Sequence, residues 1–192
     1  MSPRAQEANR TPKVKFLVDS TVARLSHWLR FLGYDAALDN NPGDAALLAR
    51  ARREGRVLLT RKRSLGTSSG FTTAVVRPAG GDASETGSAS VAAAGSALLL
   101  SSDFVSDQLR QVASGLGLTL ASPPRCTVCN SELCLVSRAE ADGRVPEFVY
   151  RTRSDFAFCP QCDRYYWKGT HWDHAGLKAS AALSGRRQRR DT

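Results

Sequence analysis

Apolar and polar positions along residues 14–122 separate short buried strands from amphipathic helices. Residues 14–18 (VKFLV) are an apolar run broken only by Lys15, the pattern of a strand covered on both faces. In STVARLSHWLRFLG, Val22, Leu25, Leu29 and Leu32 recur at helical spacing, and Gly33 stands where a left-handed residue ends a helix. A second short strand is predicted over Tyr34 to Leu38. Asp44 opens DAALLARARREG, a helix with Leu47, Leu48 and Ala51 on one face and Gly55 as its stop. Strands follow at Val57–Thr60 and Ala97–Leu100, and Val105, Leu109, Val112 and Leu116 mark a last helix within Phe104 to Leu116. This alternation predicts an α/β fold, an open and mostly parallel sheet with helices on both faces.

Composition divides the rest. Residues 66–96 are rich in Gly, Ser, Ala and Thr, too poor in apolar surface to pack, apart from Ala74-Val75-Val76. They are expected to form a low-complexity insertion, flexible over most of its length. Pro123-Pro124 marks a linker. The expected organisation is a tail at 1–13, an α/β domain at 14–122, a small module at 125–176 and a basic tail at 177–192. A chain of 192 residues, 42% hydrophobic, suffices for one moderate core plus such a module.

The formal charge of +9 favours a polyanionic partner such as a nucleic acid, because phosphates neutralised by Lys and Arg release counterions. The excess is spread out: residues 1–124 carry 15 basic and 10 acidic side chains, and residues 125–192 carry 12 and 8. Charge alone therefore singles out no one binding face. No apolar run approaches the roughly 20 residues that span a bilayer, and MSPRAQEANRTPK lacks the apolar stretch of a secretory signal. No membrane partner is expected. The expectation is an intracellular, cytoplasmic protein, with an organelle left open.

Four of the five cysteines form two knuckles, Cys126-Thr127-Val128-Cys129 and Cys159-Pro160-Gln161-Cys162, separated by 29 residues. Each CxxC turn places two thiolates on one side of a cation, and two turns complete a tetrahedral shell for structural Zn2+. The chain between them, with Leu133-Cys134-Leu135-Val136 and Phe148-Val149-Tyr150, is predicted to form antiparallel ribbon strands. Cys134 is expected to be a buried strand residue. Arg164 and Lys168 flank Tyr165-Tyr166-Trp167, a mixture suited to stacking bases and contacting phosphates. Equally, Tyr166 and Trp167 could pack the ribbon against the α/β domain. His171 is a candidate acid or base, or a packing residue; His27, within the first amphipathic helix, is structural or exposed, and His174 carries no distinct signal.

Ligands of open α/β sheets bind beyond the carboxyl ends of the strands. Asp19 follows the first strand there, Arg61-Lys62-Arg63 the third and Asp103 the fourth, while Asp44 begins its helix at the same edge. The three carboxylates could share one Mg2+ or Mn2+, which activates water against a phosphodiester. Each also immediately precedes a helix, where a carboxylate caps free N–H groups. The cations Arg61, Lys62 and Arg63 are either a phosphate-holding lip or a solvated turn.

The segments FLVDSTVARLSHWLRFLGYD, EGRVLLTR, SSDFVSDQLRQV, RCTVCN and CPQCDRYYWKGTHW occur in an order that resembles the Mut7-C family, a PIN-like ribonuclease domain with a C-terminal zinc ribbon. The likeness covers most of residues 14–175. It implies a metal-dependent ribonuclease, with Asp19 matching the first metal-binding acid, Asp44 the second and Asp103 a further candidate. One departure stands out. The family pattern resembles LLTRD, and here Lys62 replaces that acid. An ammonium repels the cation a carboxylate would bind and offers no lone pair. The resemblance thus implies either a weakened RNA hydrolase or an RNA-binding protein that has kept the fold without the chemistry. A ribbon that engages another protein is a third possibility.

Overall fold

The computed structural model describes residues 14–40, 43–67, 73–75, 95–118 and 123–169. His171, Trp172, His174, both tails and residues 68–72 and 76–94 of the insertion lie outside them.

Four strands follow the predicted runs closely. They are β1 (Phe16–Asp19), β2 (Ala36–Asp39), β3 (Val57–Thr60) and β5 (Ala97–Leu99). Between them lie α1 (Ala23–Phe31), entered through a 3-10 turn at Ser20–Val22, and α2 (Asp44–Glu54). Helix α3 (Val105–Leu116) closes the domain. The insertion also supplies β4 (Thr73–Val75), which pairs in parallel with β5 at the sheet's edge. Its three residues sit at the one apolar patch in the segment. The sheet order is β2-β1-β3-β5-β4, with all neighbours parallel.

Strand alternation divides the core between the two helical layers. Phe16 and Val18, with Val57, Leu59 and Leu98, face Leu25 and Leu29 of α1 and Leu109 and Val112 of α3. Leu17 and Leu58 turn the other way, onto Leu47 and Ala51 of α2. Phe16, Leu17, Val18, Leu58 and Leu59 are fully buried, and each contributes about 1.5–3 kcal/mol through burial. Gly55 ends α2 at φ +60°, where a β-carbon would add strain.

The C-terminal module holds β6 (Cys134–Val136), α4 (Arg138–Ala141), α5 (Glu147–Thr152), β7 (Phe156–Cys159) and β8 (Arg164–Trp167). Its antiparallel sheet runs β6-β7-β8. Two local expectations are overturned. Phe148-Val149-Tyr150 is helical, because α5 folds back as a lid whose Val149 and Tyr150 cover the small cluster of Ala141, Val145 and Phe156. Cys134 is exposed rather than buried: it lies on the edge strand β6, beside Leu135, which is 85% exposed. Trp167 and Tyr165 pack on the module's own cluster rather than joining it to the α/β domain.

Polar groups join the two parts. The buried Arg30 guanidinium donates from Nε to Ala36 O (2.9 Å) and from Nη1 to the carbonyls of Thr127 (2.7 Å) and Val128 (2.9 Å) in the first CxxC turn. Asn130 answers from the module. Its side-chain oxygen accepts from Ala36 N–H (3.0 Å), and its amide nitrogen donates to Asp35 (2.7 Å), which is ion-paired to Arg56. Arg125 N–H donates to Arg30 O (2.9 Å), while Arg125 Nε donates to Asn130 O (2.7 Å). This clasp closes on the entrances of β1 and β2, the amino edge of the sheet.

Candidate functional site at the carboxyl edge and the cysteine centre

Sequence order reverses between β1 and β3, so the chain departs in opposite directions from their carboxyl ends and leaves a crevice there. Asp19 ends β1 at 0% exposure. Although it precedes the 3-10 turn, its side chain makes no capping bond. Its Oδ2 accepts from Thr60 Oγ1 (2.7 Å) and Thr21 Oγ1 (2.8 Å), and its Oδ1 from Ser20 Oγ (3.1 Å). Both threonine oxygens accept in turn from the next stretch of chain: Thr21 from Arg61 N–H (3.2 Å) and Thr60 from Lys62 N–H (3.0 Å). The hydroxyls therefore orient the buried carboxylate and fix the turn that carries the cations. Burial works to raise the Asp19 pKa, but the bonds from Thr60 and Thr21, the Lys62 charge and the Ser20 bond outweigh it. Asp19 is held ionised, below its ordinary value.

Asp44 is the first residue of α2, with Gly43 at the capping position. Ser64 Oγ donates to it (2.7 Å), as does Lys62 Nζ (3.2 Å); these bonds, Ser64 first, lower its pKa. The same ammonium lies 3.8 Å from Asp19 Oδ1. One cation thus bridges the two acids, whose oxygens are no more than about 7 Å apart through it.

Asp103 behaves differently. Gln108 Nε2 donates to Ser102 O (2.9 Å), and the buried Gln111 accepts from Ser101 N–H (3.1 Å), so α3 fixes the loop. From it Asp103, 74% exposed, forms an ion pair with Arg61 rather than joining Asp19 and Asp44. Arg63 is exposed at the start of a 3-10 turn. Asp39 ends β2 level with Asp19 and accepts from Arg50 Nη1 (3.0 Å). Sequence patterning passed over Asp39, Thr21, Thr60 and Ser64. For Asp39, the visible signal was an acid ending an apolar strand.

These side chains do not fit the divalent ion that the resemblance implies. Asp103 is engaged elsewhere, Asp19 Oδ2 already accepts two hydroxyl bonds, and an ammonium stands between the remaining carboxylate oxygens. Among the described residues, the four cysteines form the one group of three or more His, Cys, Asp or Glu side chains that could hold a metal ion.

The cysteine group fits a metal well. The sulfurs of Cys126, Cys129, Cys159 and Cys162 all lie within 4.8 Å of one another, with Cys129–Cys159 at 3.4 Å and Cys126–Cys162 at 3.9 Å. Zinc–sulfur bonds of about 2.3 Å in a tetrahedron require sulfur separations of about 3.8 Å. The cluster could therefore hold an ion such as zinc. Tyr166 OH lies 3.1 Å from Cys126 Sγ, and Ser131 Oγ 3.2 Å from Cys129 Sγ. Against the effect of burial, the bonds from Ser131 bring the Cys129 thiol down to about 6. Hydrogen bonding to Cys129, then burial, pushes Cys162 up to about 12. Four thiols this close cannot all ionise without a cation among them. Of the two candidate phosphate contacts here, Arg164 is exposed, and Lys168 is paired with Asp155 at 3.3 Å.

No curated protein and no solved structure matches this chain. The Mut7-C RNAse domain family matches residues 14–178, a span that takes in both the crevice and the cysteine centre. The chain belongs to the Mut7-C RNAse domain family.

Proposed function

We propose that the chain is an RNA-binding member of this ribonuclease family in which Lys62 takes the place of a catalytic cation and suppresses phosphodiester hydrolysis. The observation that carries the reading is the Lys62 ammonium, 3.2 Å from Asp44 and 3.8 Å from Asp19. It balances one of the two negative charges that would draw in Mg2+ or Mn2+, and it occupies the approach to both acids. RNA phosphate meets the rim instead at Arg61 and Arg63. The Arg61–Asp103 pair is solvent-facing, and such pairs contribute about 0–1 kcal/mol, so phosphate can replace the carboxylate. Zinc in the four-cysteine shell is structural, since four thiolates leave no open position for a reacting water.

Binding and turnover of single-stranded RNA test this reading. Native protein should bind RNA with strong salt dependence and leave it intact in Mg2+ or Mn2+. Lys62→Asp should gain metal-dependent cleavage that Asp19→Asn removes. Cleavage by native protein that is lost in Asp19→Asn would overturn the proposal. That outcome would favour a second reading, a metal-dependent ribonuclease in which the ion displaces Lys62. The 39% exposure of the Asp44 side chain, which leaves solvent access to the pair, speaks for that alternative.

A further inference from the structure

A cavity of about 380 Å3 opens on the module, away from the acidic crevice. One wall is the first CxxC turn (Thr127 and Val128), and another is the edge strand β8 with Tyr166 and Trp167. Arg144 and Arg164 line it as well. Both arginines are exposed, and neither guanidinium is paired with a carboxylate among the described residues. Many other arginines are committed: Arg50, Arg56, Arg61, Arg110, Arg125 and Arg151 all hold acids. Asp163 also lines the cavity, on a turn at φ +51°.

We infer that this cavity is a binding site for single-stranded RNA, taking an unpaired base against its aromatic wall and the adjoining phosphates on Arg144 and Arg164. The combination is what such a ligand requires: half-buried aromatic side chains at the cavity wall, Trp167 packed on one side by the module's cluster, and guanidinium groups for the backbone. Its volume suits a base with its sugar and phosphate rather than a duplex. Asp163 repels phosphate and can accept from a base N–H, so it helps fix which end of the nucleotide lies inward. The amino-edge clasp holds the module at the far end of β1 from Asp19. None of the residues lining the cavity belongs to the crevice, so the two are separate contact points.

The inference rests on RNA being the ligand, as proposed above. Anisotropy of a labelled 12-mer oligouridylate, run on the zinc-loaded full chain, tests it. The double variant Arg144→Glu/Arg164→Glu should bind at least tenfold more weakly, with unchanged zinc content and melting temperature. Its log K against log salt slope should fall in magnitude by about 1.4, the share of two single-strand phosphates. An abasic 12-mer should bind the native protein at least fivefold more weakly than the base-bearing strand. A 4-thiouridine strand should cross-link to the peptide carrying Tyr166 and Trp167. If RNA binds, the double variant is unaffected and Arg63→Glu weakens binding, the cavity assignment fails and the rim reading stands. Equal affinity for abasic and base-bearing strands overturns the stacking claim. No RNA binding at low salt sinks both proposals, and amide shifts in β8 with a strand-forming peptide but not with RNA would reassign the cavity to strand addition.

Discussion

Arg30→Met is the sharpest test of how the molecule is assembled. Methionine keeps much of the aliphatic stem's volume but removes all three guanidinium bonds, to Ala36 O, Thr127 O and Val128 O. Hydrogen bonds from a charged donor contribute about 1.5–3 kcal/mol each, and buried acceptors left unpaired cost about 1–3 kcal/mol. Val128 is 50% exposed, so water can replace the third bond, and the arginine's own burial penalty disappears. A net loss of about 3–5 kcal/mol remains, a large part of the roughly 5–15 kcal/mol that holds a domain folded. It should lower the melting temperature by about 10–20 °C, measured by circular dichroism with zinc bound. Two of the three bonds end on the CxxC turn, so the penalty should shrink to about 1–2 kcal/mol once a chelator has removed the metal. By linkage, the variant's zinc affinity, read by chelator competition, should fall roughly 30–150-fold, equivalent to about 2–3 kcal/mol of coupling. Melting within a few degrees of native, or the same penalty with and without zinc, would refute the clasp.

Three further outcomes follow from the same geometry. Chelation should release one zinc per chain, read colorimetrically, and unfold the module while the α/β sheet persists at a lower melting temperature. Lys62→Asp should bind Mn2+ measurably tighter than native protein by calorimetry, whereas equal affinity would mean that the ammonium does not guard the acids. Asp19 has a folded pKa below its ordinary value of 3.8, so its stabilising contribution is complete above that value and is lost as pH falls through the folded pKa. Native protein should therefore lose stability below about pH 4 more steeply than Asp19→Asn, in urea titrations across that range.

The parts of the fold that were legible in sequence were those governed by period. Apolar runs at β1 and β3 and helical spacing in α1, α2 and α3 each gave an element close to its observed bounds, because each buries a face that the pattern already displays. Strand β4 was missed because low-complexity surroundings hid three residues that need only an edge partner. Helix α5 was misread because Phe148-Val149-Tyr150 has strand-like residues, while its structure is decided by covering the small cluster of Phe156 and Val145. At the carboxyl edge, sequence placed Asp19, Asp44 and Lys62 on one rim, but the partner of each charge was invisible. Arg61 and Lys62 are adjacent in sequence yet reach different acids, Asp103 and Asp44, because a turn residue's side-chain direction has no period. Arg30 read as one more cation on an amphipathic helix, and only the fold shows its buried end inside a metal knuckle.

The clasp draws on segments of the family match that lie outside the acidic crevice. Arg30 and Asp35 come from LSHWLRFLGYD, Arg56 from EGRVLLTR, and Arg125 and Asn130 from RCTVCN; these three segments meet at the amino edge. Asn130 adopts φ +70°, a conformation open to few residues besides glycine, and glycine would lose both side-chain bonds to Asp35 and Ala36. The cysteine module is thus bound to the end of the sheet opposite Asp19 and Asp44. Its described residues leave the crevice uncovered, and metal loss should reach the carboxyl edge only through the stability of the shared sheet. An RNA strand that touched both the module and the crevice would have to run along the outside of the α/β domain, with the exposed Arg63 at one end and Arg144 and Arg164 at the other.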